Sequence, residues 1–334
     1  MKKTLLWAYS ALLLLYLLPL APRVGQALSA RTPADPQSSS FPASENALPP
    51  TEGDAPPPRT LLVKTGTGVE EMAMQDYLFG VLAAEMPASF PEEALKAQAV
   101  AARTYALYCA ASHKHADADV CTDPGCCQAW LGNDELRQRW GADCEQNAAR
   151  IRSAVEETAE QTLRYQGEPV FAAFHSSSAG LTESSGAVWS PQPYLVSVSS
   201  PETAGDVPGY ISTLRCAALD FRDVILSAYP EADFSGPTET WIGELRRDES
   251  GRVESLTLGG AAIPGTALRR LFSLRSTAFS LVYEEGSFLF TVTGYGHGVG
   301  MSQYGAMVMA RDGADYVQIL AHYYPGTTLT TDPS

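Results

Sequence analysis

Apolar residues recur at helical spacing in two neighbouring stretches near the start of the folded region. In Met72–Ala84 they fall three and four residues apart, which predicts a helix that Pro87 ends. A second helix is predicted over Glu92–Ser112, with Ser89 as its N-cap and Pro91 at its start. This second helix is rich in alanine, and small side chains allow close packing. We therefore expect it to be central and buried.

The remaining pattern predicts helices and strands in separate runs. Further helices are predicted at Glu145–Gln161, Asp220–Tyr229, Ala306–Asp312 and Tyr316–Tyr323. Strands are predicted at Leu61–Lys64, Thr162–Tyr165, Pro169–Phe174, Trp241–Leu245, Val253–Leu258, Phe279–Tyr283 and Ser287–Thr293. This order predicts an α+β domain over residues 60–334, with mainly antiparallel strands around a substrate groove.

The first 59 residues have a different pattern. Two lysines precede an apolar run from Thr4 to Ala21, which is short for a membrane span and long for the core of a signal peptide. Residues 1–22 are therefore predicted to be a membrane anchor or a signal segment, and the length favours an uncleaved anchor. Residues 23–59 are rich in Pro, Ser and Ala, which predicts a disordered linker. In either case the remaining chain is expected outside the cytoplasmic membrane.

Composition narrows the range of partners. The chain has 334 residues and a formal net charge of −15. A nucleic-acid-binding surface needs a basic stripe, so this acidic balance argues against a nucleic-acid partner. Net charge otherwise bears on solubility and not on fold.

Glu85 is the first candidate catalytic residue. It lies in Val81–Pro87, whose other members are all apolar. A carboxylate in such surroundings is destabilised, so its pKa is expected to rise towards the range that suits a proton donor at neutral pH. The alternative is a glutamate at a helix end whose side chain turns to water.

The alanine-rich helix carries a few polar residues. Lys96 and Arg103 are seven residues apart and share one face of the helix. That face is a candidate surface for a polyhydroxyl or anionic substrate beside Glu85. The alternative is an ordinary solvated stripe.

A loop over His113–Trp130 brings together potential metal ligands. His115, Cys121, Cys126 and Cys127 have the ligand types of a tetrahedral zinc site, although their spacing matches no zinc finger. Disulfides are the alternative, because an exported chain permits them and the six cysteines allow 15 pairings. The histidine favours zinc.

Two further loops have the composition of a ligand site. Phe174–Gly180 is a hydroxyl-rich turn after a strand, but it lacks the Gly-x-Ser-x-Gly elbow of a serine hydrolase. In Gly294–Gly305, glycine occupies every second position up to Gly300, so the backbone can approach a ligand closely. This loop matches neither a dinucleotide-binding nor a Walker pattern.

Taken together, these stretches resemble the SpoIID/LytB domain family. The resemblance covers roughly Leu61 to Thr327. Its motifs are Asp76–Leu78, Glu85–Pro87, Glu93–Tyr105, Phe174–Thr182, Pro193–Val198 and Gly294–Ala306. One departure is Ser178-Ala179-Gly180, where Ser-Gly-Gly is common in the family.

The resemblance implies a lytic transglycosylase that cuts peptidoglycan between N-acetylmuramic acid and N-acetylglucosamine and leaves a 1,6-anhydro sugar. Glu85 matches the family's catalytic glutamate. Substrate-binding positions implied by the family motifs are Lys96, Arg103, Ser177, Tyr194, His297, Gln303 and Tyr304. Zinc in some members, held by a His and Cys residues of the same loop, implies His115, Cys121, Cys126 and Cys127 as ligands.

The resemblance also implies a cellular setting. Members are thought to prefer glycans stripped of stem peptides, and to work with a SpoIIP-type amidase and a SpoIIM-type membrane scaffold at the engulfing forespore membrane. That setting is a single-pass membrane protein whose catalytic domain lies in the intermembrane space. Two competing functions remain, a non-catalytic wall-binding activator of an amidase and a zinc amidase. The second is disfavoured because catalytic zinc usually has fewer thiolate ligands and an open position.

Overall fold

The computed structural model describes residues 59–331, which form helices and strands in alternating groups. The α-helices are α1 Met74–Glu85, α2 Glu92–Ala111, α3 Asn133–Trp140, α4 Cys144–Glu157, α5 Ala218–Ala228, α6 Gly265–Leu271, α7 Gln303–Arg311 and α8 Tyr316–Tyr323. The first strands are β1 Thr60–Lys64, β2 Val69–Ala73, β3 Val120–Cys121, β4 Gln161–Tyr165, β5 Glu168–Pro169, β6 Phe174–His175 and β7 Ile211–Ala217. The others are β8 Ile242–Arg247, β9 Val253–Leu258, β10 Ala261–Pro264, β11 Phe279–Glu284, β12 Ser287–Thr293, β13 Met301–Ser302 and β14 Thr328–Thr331.

The strands form small sheets, most of them antiparallel. The sheet orders are β2-β1-β3, β10-β9-β8, β11-β12-β7, β13-β6 and β14-β4-β5. Only β1 with β3 and β13 with β6 pair in parallel among the strands of residues 59–331. The predicted α+β class with mainly antiparallel strands is therefore confirmed. The predicted anchor, residues 1–22, and the linker up to residue 58 lie outside the described residues. No helix within the described part of the chain is long and apolar enough to cross a membrane.

The helix α2 is the centre of the first hydrophobic core, as predicted. It packs against α1, α4, α7, α8 and β4, and six of its eight alanines, from Ala94 to Ala106, lie buried. Alanine allows helices to approach closely without losing side-chain entropy. Its N-terminus differs from the prediction, because Pro91 occupies the N-cap position and Ser89 makes no capping hydrogen bond.

A second hydrophobic core lies within residues 211–293. It is built from β7 to β12 with α5 and α6, and its centre is a stack of aromatic rings. The rings of Phe221 and Phe288 are 4.0 Å apart, and Trp241 stacks on Phe288 at 5.9 Å. Sequence patterning predicted four of its strands and α5, but not β7, β10 or the short helix α6.

Arg103 stabilises the first core. Its guanidinium is 3% exposed and donates to the carbonyl oxygens of Val155, Thr158 and Gln161 at 3.1, 2.7 and 3.2 Å. Val155 lies in the last turn of α4, and Thr158 and Gln161 follow the helix, where terminal C=O groups have no partner within it. Arg103 therefore joins α2 to the end of α4.

We expect Arg103→Gln to lower the free energy of unfolding by about 2–4 kcal/mol, because buried carbonyls lose hydrogen bonds from a charged donor. Urea unfolding followed by circular dichroism measures the change. Arg137→Gln is the control, since Arg137 is 72% exposed in its ion pair with Asp134 and should change stability by less than about 0.5 kcal/mol. Wild-type stability of Arg103→Gln would contradict the structural role.

Candidate active site

Glu85 is the last residue of α1, and the sequence after it sets this position. Pro87 disfavours helical backbone at the preceding residue, and Met86 is extended with ψ 142°. The Met86 N–H still donates to the Leu82 carbonyl, which closes the last turn. The carboxyl of Glu85 is thereby directed out of the helix end.

Two neutral donors from distant parts of the chain bind the Glu85 carboxyl. The Ala129 N–H donates to Oε1 at 2.9 Å, and the Gln303 amide donates to Oε2 at 3.4 Å. Burial raises the pKa of Glu85 above its ordinary value, and these two hydrogen bonds oppose the rise only in part. No cation contributes to the shift. The result is a carboxyl group that retains its proton to higher pH than an exposed glutamate.

The Ala129 amide reaches Glu85 because its loop is docked on α1. A Cβ at Gly80 would overlap the indole ring of Trp130, so only glycine lets the ring lie against the helix. The Leu131 N–H also donates to the Gly80 carbonyl at 3.2 Å. On the other side, the Gln128 amide lies 3.4 Å from the hydroxyl of Tyr77. The loop end is thus fixed to α1 on both sides of Ala129.

A buried carboxylate positions the second donor. Glu202 is 2% exposed and accepts from the Ser178 N–H at 2.6 Å and from the hydroxyls of Ser302 and Ser200, each at 2.5 Å. Ser302 is the N-cap of α7 and accepts from the Gly305 N–H. These bonds fix the start of α7, where Gln303 begins the helix. The predicted loop through Gly305 is therefore shorter than expected, because Ser302 caps α7 three residues earlier.

The glycine-rich loop packs directly on the hydroxyl-rich turn. Gly300 has φ +70°, and a Cβ there would collide with the carbonyl of Ala173, so glycine is required for β13 to pair with β6. This pairing brings His297 beside His175, with ring centroids 5.7 Å apart.

The hydrogen bonds of the two imidazoles define their tautomers. His297 Nδ1 accepts from the Val299 N–H at 3.1 Å, so a neutral His297 carries its proton on Nε2. His175 Nδ1 lies 3.2 Å from the Val299 carbonyl, which only accepts, so His175 carries its proton on Nδ1. The Nε2 of His175 is then a buried acceptor that has no partner among residues 59–331.

Both imidazoles are uncharged at neutral pH. Burial, followed by the positive charges of Arg269 and Arg252, lowers the pKa of His297 to about 4. Burial, followed by His297 and Arg252, holds the pKa of His175 well below its ordinary value of 6.5. The pair therefore presents one N–H donor and one acceptor rather than a charge.

Glu85, Gln303 and both histidines line one cavity of about 860 Å³. Glu85 is the single acidic residue among the described residues that line it. Trp189 and Tyr295 also line the cavity and are 42% and 53% exposed. Exposed aromatic rings beside polar groups are typical of a ligand-binding surface.

The predicted zinc ligands lie next to this cavity. The ligand atoms of His115, Cys121, Cys126 and Cys127 all fall within 4.8 Å of one another. His115 Nε2 is 3.2 Å from the sulfur of Cys127 and 3.8 Å from that of Cys126. All six cysteines, which lie within residues 59–331, have free thiols. Three thiols and one imidazole at these distances fit tetrahedral zinc.

The structure does not bring Lys96 or Arg103 to the cavity, contrary to the predicted shared substrate face. The Lys96 ammonium lies 2.6, 3.2 and 2.7 Å from carboxylate oxygens of Glu92, Glu93 and Glu157. Arg103 binds the carbonyls that follow α4. Both cations have partners within the protein, so each has a structural role.

Three other predicted substrate contacts also lie outside the cavity lining. Ser177 is 1% exposed and pairs through its backbone with Tyr295. The Tyr194 hydroxyl accepts from the Phe171 N–H at 3.0 Å. Tyr304 packs edge-on against Phe90, with centroids 5.1 Å apart. Of the predicted substrate contacts, His297 and Gln303 line the cavity with Glu85.

Sequence reasoning missed several residues of this cavity. His175 lies in the hydroxyl-rich turn that has the composition of a ligand site, but the motif did not single out its imidazole. Trp189 and Arg269 are isolated in the sequence, and no pattern marked them. The Ala129 amide is a backbone group, which no side-chain motif reveals.

Comparisons with known proteins agree with the resemblance drawn from the motifs. A sequence model of the SpoIID family, described as Stage II sporulation protein, matches residues 64–165. The stage II sporulation proteins D of Bacillus amyloliquefaciens and Bacillus subtilis (strain 168) are each 34% identical over 267 residues. These matches cover 78% of this chain and 75% and 76% of the two relatives. An amidase enhancer of B. subtilis is 30% identical over 305 residues, which are 76% of this chain and 40% of that protein.

The burial of Glu85 predicts a pH-dependent difference in stability between the wild type and Glu85→Gln. Since the folded protein holds the proton above the ordinary pKa of 4.5, the unfolded chain releases it first as pH rises. The wild type therefore loses stability through this interval, whereas Glu85→Gln does not. Melting temperatures at pH 4 and pH 8 should show Glu85→Gln gaining relative to the wild type at the higher pH.

Glu254→Gln is the charge-matched control, because Glu254 is exposed on β9. A stability difference between Glu85→Gln and wild type that is the same at both pH values would show that Glu85 is not destabilised by burial.

Proposed function

The chain belongs to the SpoIID family, and we propose from this premise that it is a peptidoglycan lytic transglycosylase. Its substrate would be a peptide-free glycan strand, cut between N-acetylmuramic acid and N-acetylglucosamine. The setting would be remodelling of the septal wall during engulfment in sporulation, in keeping with the names of the relatives.

One observation carries the proposal. Glu85 is a partly buried carboxyl group whose pKa is raised by desolvation, and it is the single acid among the described residues that line the cavity. A hydrolase of the usual kind needs two carboxyl groups, one as acid and one as base or nucleophile. A single carboxyl group suits a reaction in which the substrate supplies its own nucleophile.

The reaction would proceed with Glu85 acting first as acid and then as base. The protonated carboxyl donates its proton to the glycosidic oxygen as the bond from that oxygen to C1 of the muramyl residue breaks. The C6 hydroxyl of the same residue attacks C1, and its proton passes to the Glu85 carboxylate. The C1–O6 bond closes the 1,6-anhydro ring, no water is consumed, and Glu85 is again protonated.

Neighbouring residues would orient the sugars. The neutral imidazole of His297, which lines the cavity, would contact glycan hydroxyl or amide groups. Trp189 and Tyr295 offer exposed rings against which a sugar face can pack. Gln303 binds Oε2 of Glu85, so it would hold the carboxyl in position for proton transfer.

We further propose that His115, Cys121, Cys126 and Cys127 hold a zinc ion, since their ligand atoms converge. A closed set of three thiolates and one histidine is typical of structural zinc. Such an ion would order the loop whose Ala129 amide binds Glu85. No step of the reaction requires it.

The proposal extends to location and partners. The apolar run in residues 1–22 would anchor the chain so that residues 60–334 act on the outer face of the membrane. A SpoIIP-type amidase would supply peptide-free strands, and a SpoIIM-type scaffold would hold the enzymes together.

The alternative is a non-catalytic wall-binding protein that activates an N-acetylmuramoyl-L-alanine amidase. The similarity to an amidase enhancer favours this function. The buried carboxyl in the cavity favours catalysis, because a binding surface has no need of a group that burial destabilises.

Glu85→Gln should lower the rate of glycan cleavage by about 10²–10⁴-fold, the usual contribution of a general acid, and leave glycan binding in place. The full-length protein is incubated with peptide-free glycan strands, and mass spectrometry identifies the product ends. Wild-type activity should fall as pH rises through the raised pKa of Glu85, because only the protonated carboxyl can donate.

Anhydro ends from the wild type are the expected product. Hydrated ends would instead indicate a hydrolase. Glycan binding without any cleavage, together with stimulation of an added amidase, would favour the activator function.

Cys127→Ser should reduce zinc content from about one ion per chain to a small fraction and lower the melting temperature, because structural zinc contributes to folding. Atomic absorption measures the metal. Cys216→Ser is the matched control, since Cys216 lies on β7 in the second core and outside the cluster. Equal zinc content in both variants, or none in the wild type, would exclude this site.

A further inference from the structure

Arg269 is a cation in the cavity that has no counter-ion. It belongs to α6, so the second core supplies it to the cavity that Glu85 lines. Its Nε donates to the Leu274 carbonyl at 3.3 Å, which fixes one edge of the guanidinium. No carboxylate within residues 59–331 lies in ion-pair distance of it, and its terminal nitrogens make no hydrogen bond to these residues.

Several other cations within residues 59–331 have partners in the protein. Arg311 and Lys96 contact carboxylates at 2.6 Å, and Arg103 donates to three backbone carbonyls. The second cation of the cavity lining is Lys114, and its ammonium donates to the Tyr105 hydroxyl and the Cys126 carbonyl. Among the described residues that line the cavity, Arg269 is the arginine, and its two terminal nitrogens remain available to a ligand.

The charge of Arg269 does not serve Glu85. An arginine close to that carboxyl would lower its pKa, whereas burial raises it and no cation contributes. Arg269 lies near enough to Arg252 to contribute to the lowered pKa of Arg252. Burial lowers the pKa of Arg269 itself. A partly buried guanidinium without an anion is unfavourable, so its surroundings favour binding of an anionic group.

We propose that Arg269 is a specificity-determining residue that binds a carboxylate of the substrate. This inference rests on the proposed function, because a glycan of peptidoglycan carries one ionisable group, the lactyl carboxyl of muramic acid. A stem peptide converts that carboxyl into a neutral amide, and removal of the peptide restores the charge. Arg269 thus distinguishes peptide-free from peptide-bearing strands by the charge at the lactyl position, and its planar guanidinium suits a two-point contact with carboxylate.

The test measures equilibrium binding in full-length protein that carries Glu85→Gln, so that cleavage does not interfere. Two tetrasaccharides are compared by calorimetry: peptide-free (GlcNAc–MurNAc)₂ and the same molecule with its lactyl carboxyls converted to primary amides. The free acid should bind at least about 10-fold more tightly, as expected for one charge-assisted pair.

Arg269→Gln should abolish this preference by weakening binding of the acid, and leave binding of the amide unchanged. Retained amide binding also shows that the variant is folded. Arg269→Lys should keep part of the preference, since it retains the charge but not the paired donors. Arg270→Gln is the matched control, because Arg270 is the next residue of α6, exposed and absent from the cavity lining, and it should keep the full preference.

Equal affinity of the Glu85→Gln protein for the two tetrasaccharides would overturn the role of Arg269, and so would a preference that survives Arg269→Gln. Absence of binding to both would overturn the glycan substrate itself. Failure of the catalytic proposal appears elsewhere, as a lack of anhydro ends in the cleavage assay, and leaves the binding ratio measurable.

Discussion

The arrangement of the site depends on one constraint: the Glu85 carboxyl group is partly buried and has no cation beside it. Glu85 ends α1, and the groups that bind its two oxygens come from 44 and 218 residues further along the chain. For both to arrive, the cysteine loop must dock on α1 and the N-terminus of α7 must lie against it. The same neutral environment raises the pKa of Glu85. The packing that brings these neutral donors to Glu85 is therefore also what raises its pKa.

The second core supports the glycine-rich loop of this site and contributes cations near it. Arg252 is 1% exposed, and a Cβ at Gly298 would collide with its guanidinium, so the glycine loop rests directly on it. Arg252 and Arg269 help to keep His297 neutral. The Ser250 hydroxyl donates to Glu183 at 2.8 Å, which joins the two cores.

Most of the secondary structure could be predicted, because its signals are local. The apolar spacing of α1, the alanine content of α2 and the alternation in β9 and β12 each reflect burial of one face, and all four elements occur close to the predicted bounds. The missed elements lack such a signal: α6 has seven residues, and β7 is exposed along most of its length. Short or edge elements are stabilised by tertiary partners that lie far away in sequence.

Site residues could be predicted only where they lie within a recognisable local sequence pattern. Glu85 could be singled out because its neighbours are apolar, and the four metal-ligand candidates because they share a loop. The arginines show the limit. Arg103 lies in a conspicuous motif, yet its guanidinium binds carbonyls at the end of α4. Arg269 lies in no motif, yet it lines the cavity with its terminal nitrogens free of hydrogen bonds to residues 59–331. Both residues are arginines, so their side-chain chemistry is the same. They differ in the number of hydrogen-bond acceptors that the fold places around each guanidinium. The acceptors of Arg103 lie 52 to 58 residues away in the sequence, whereas Arg269 has one nearby acceptor, the Leu274 carbonyl, for its Nε alone.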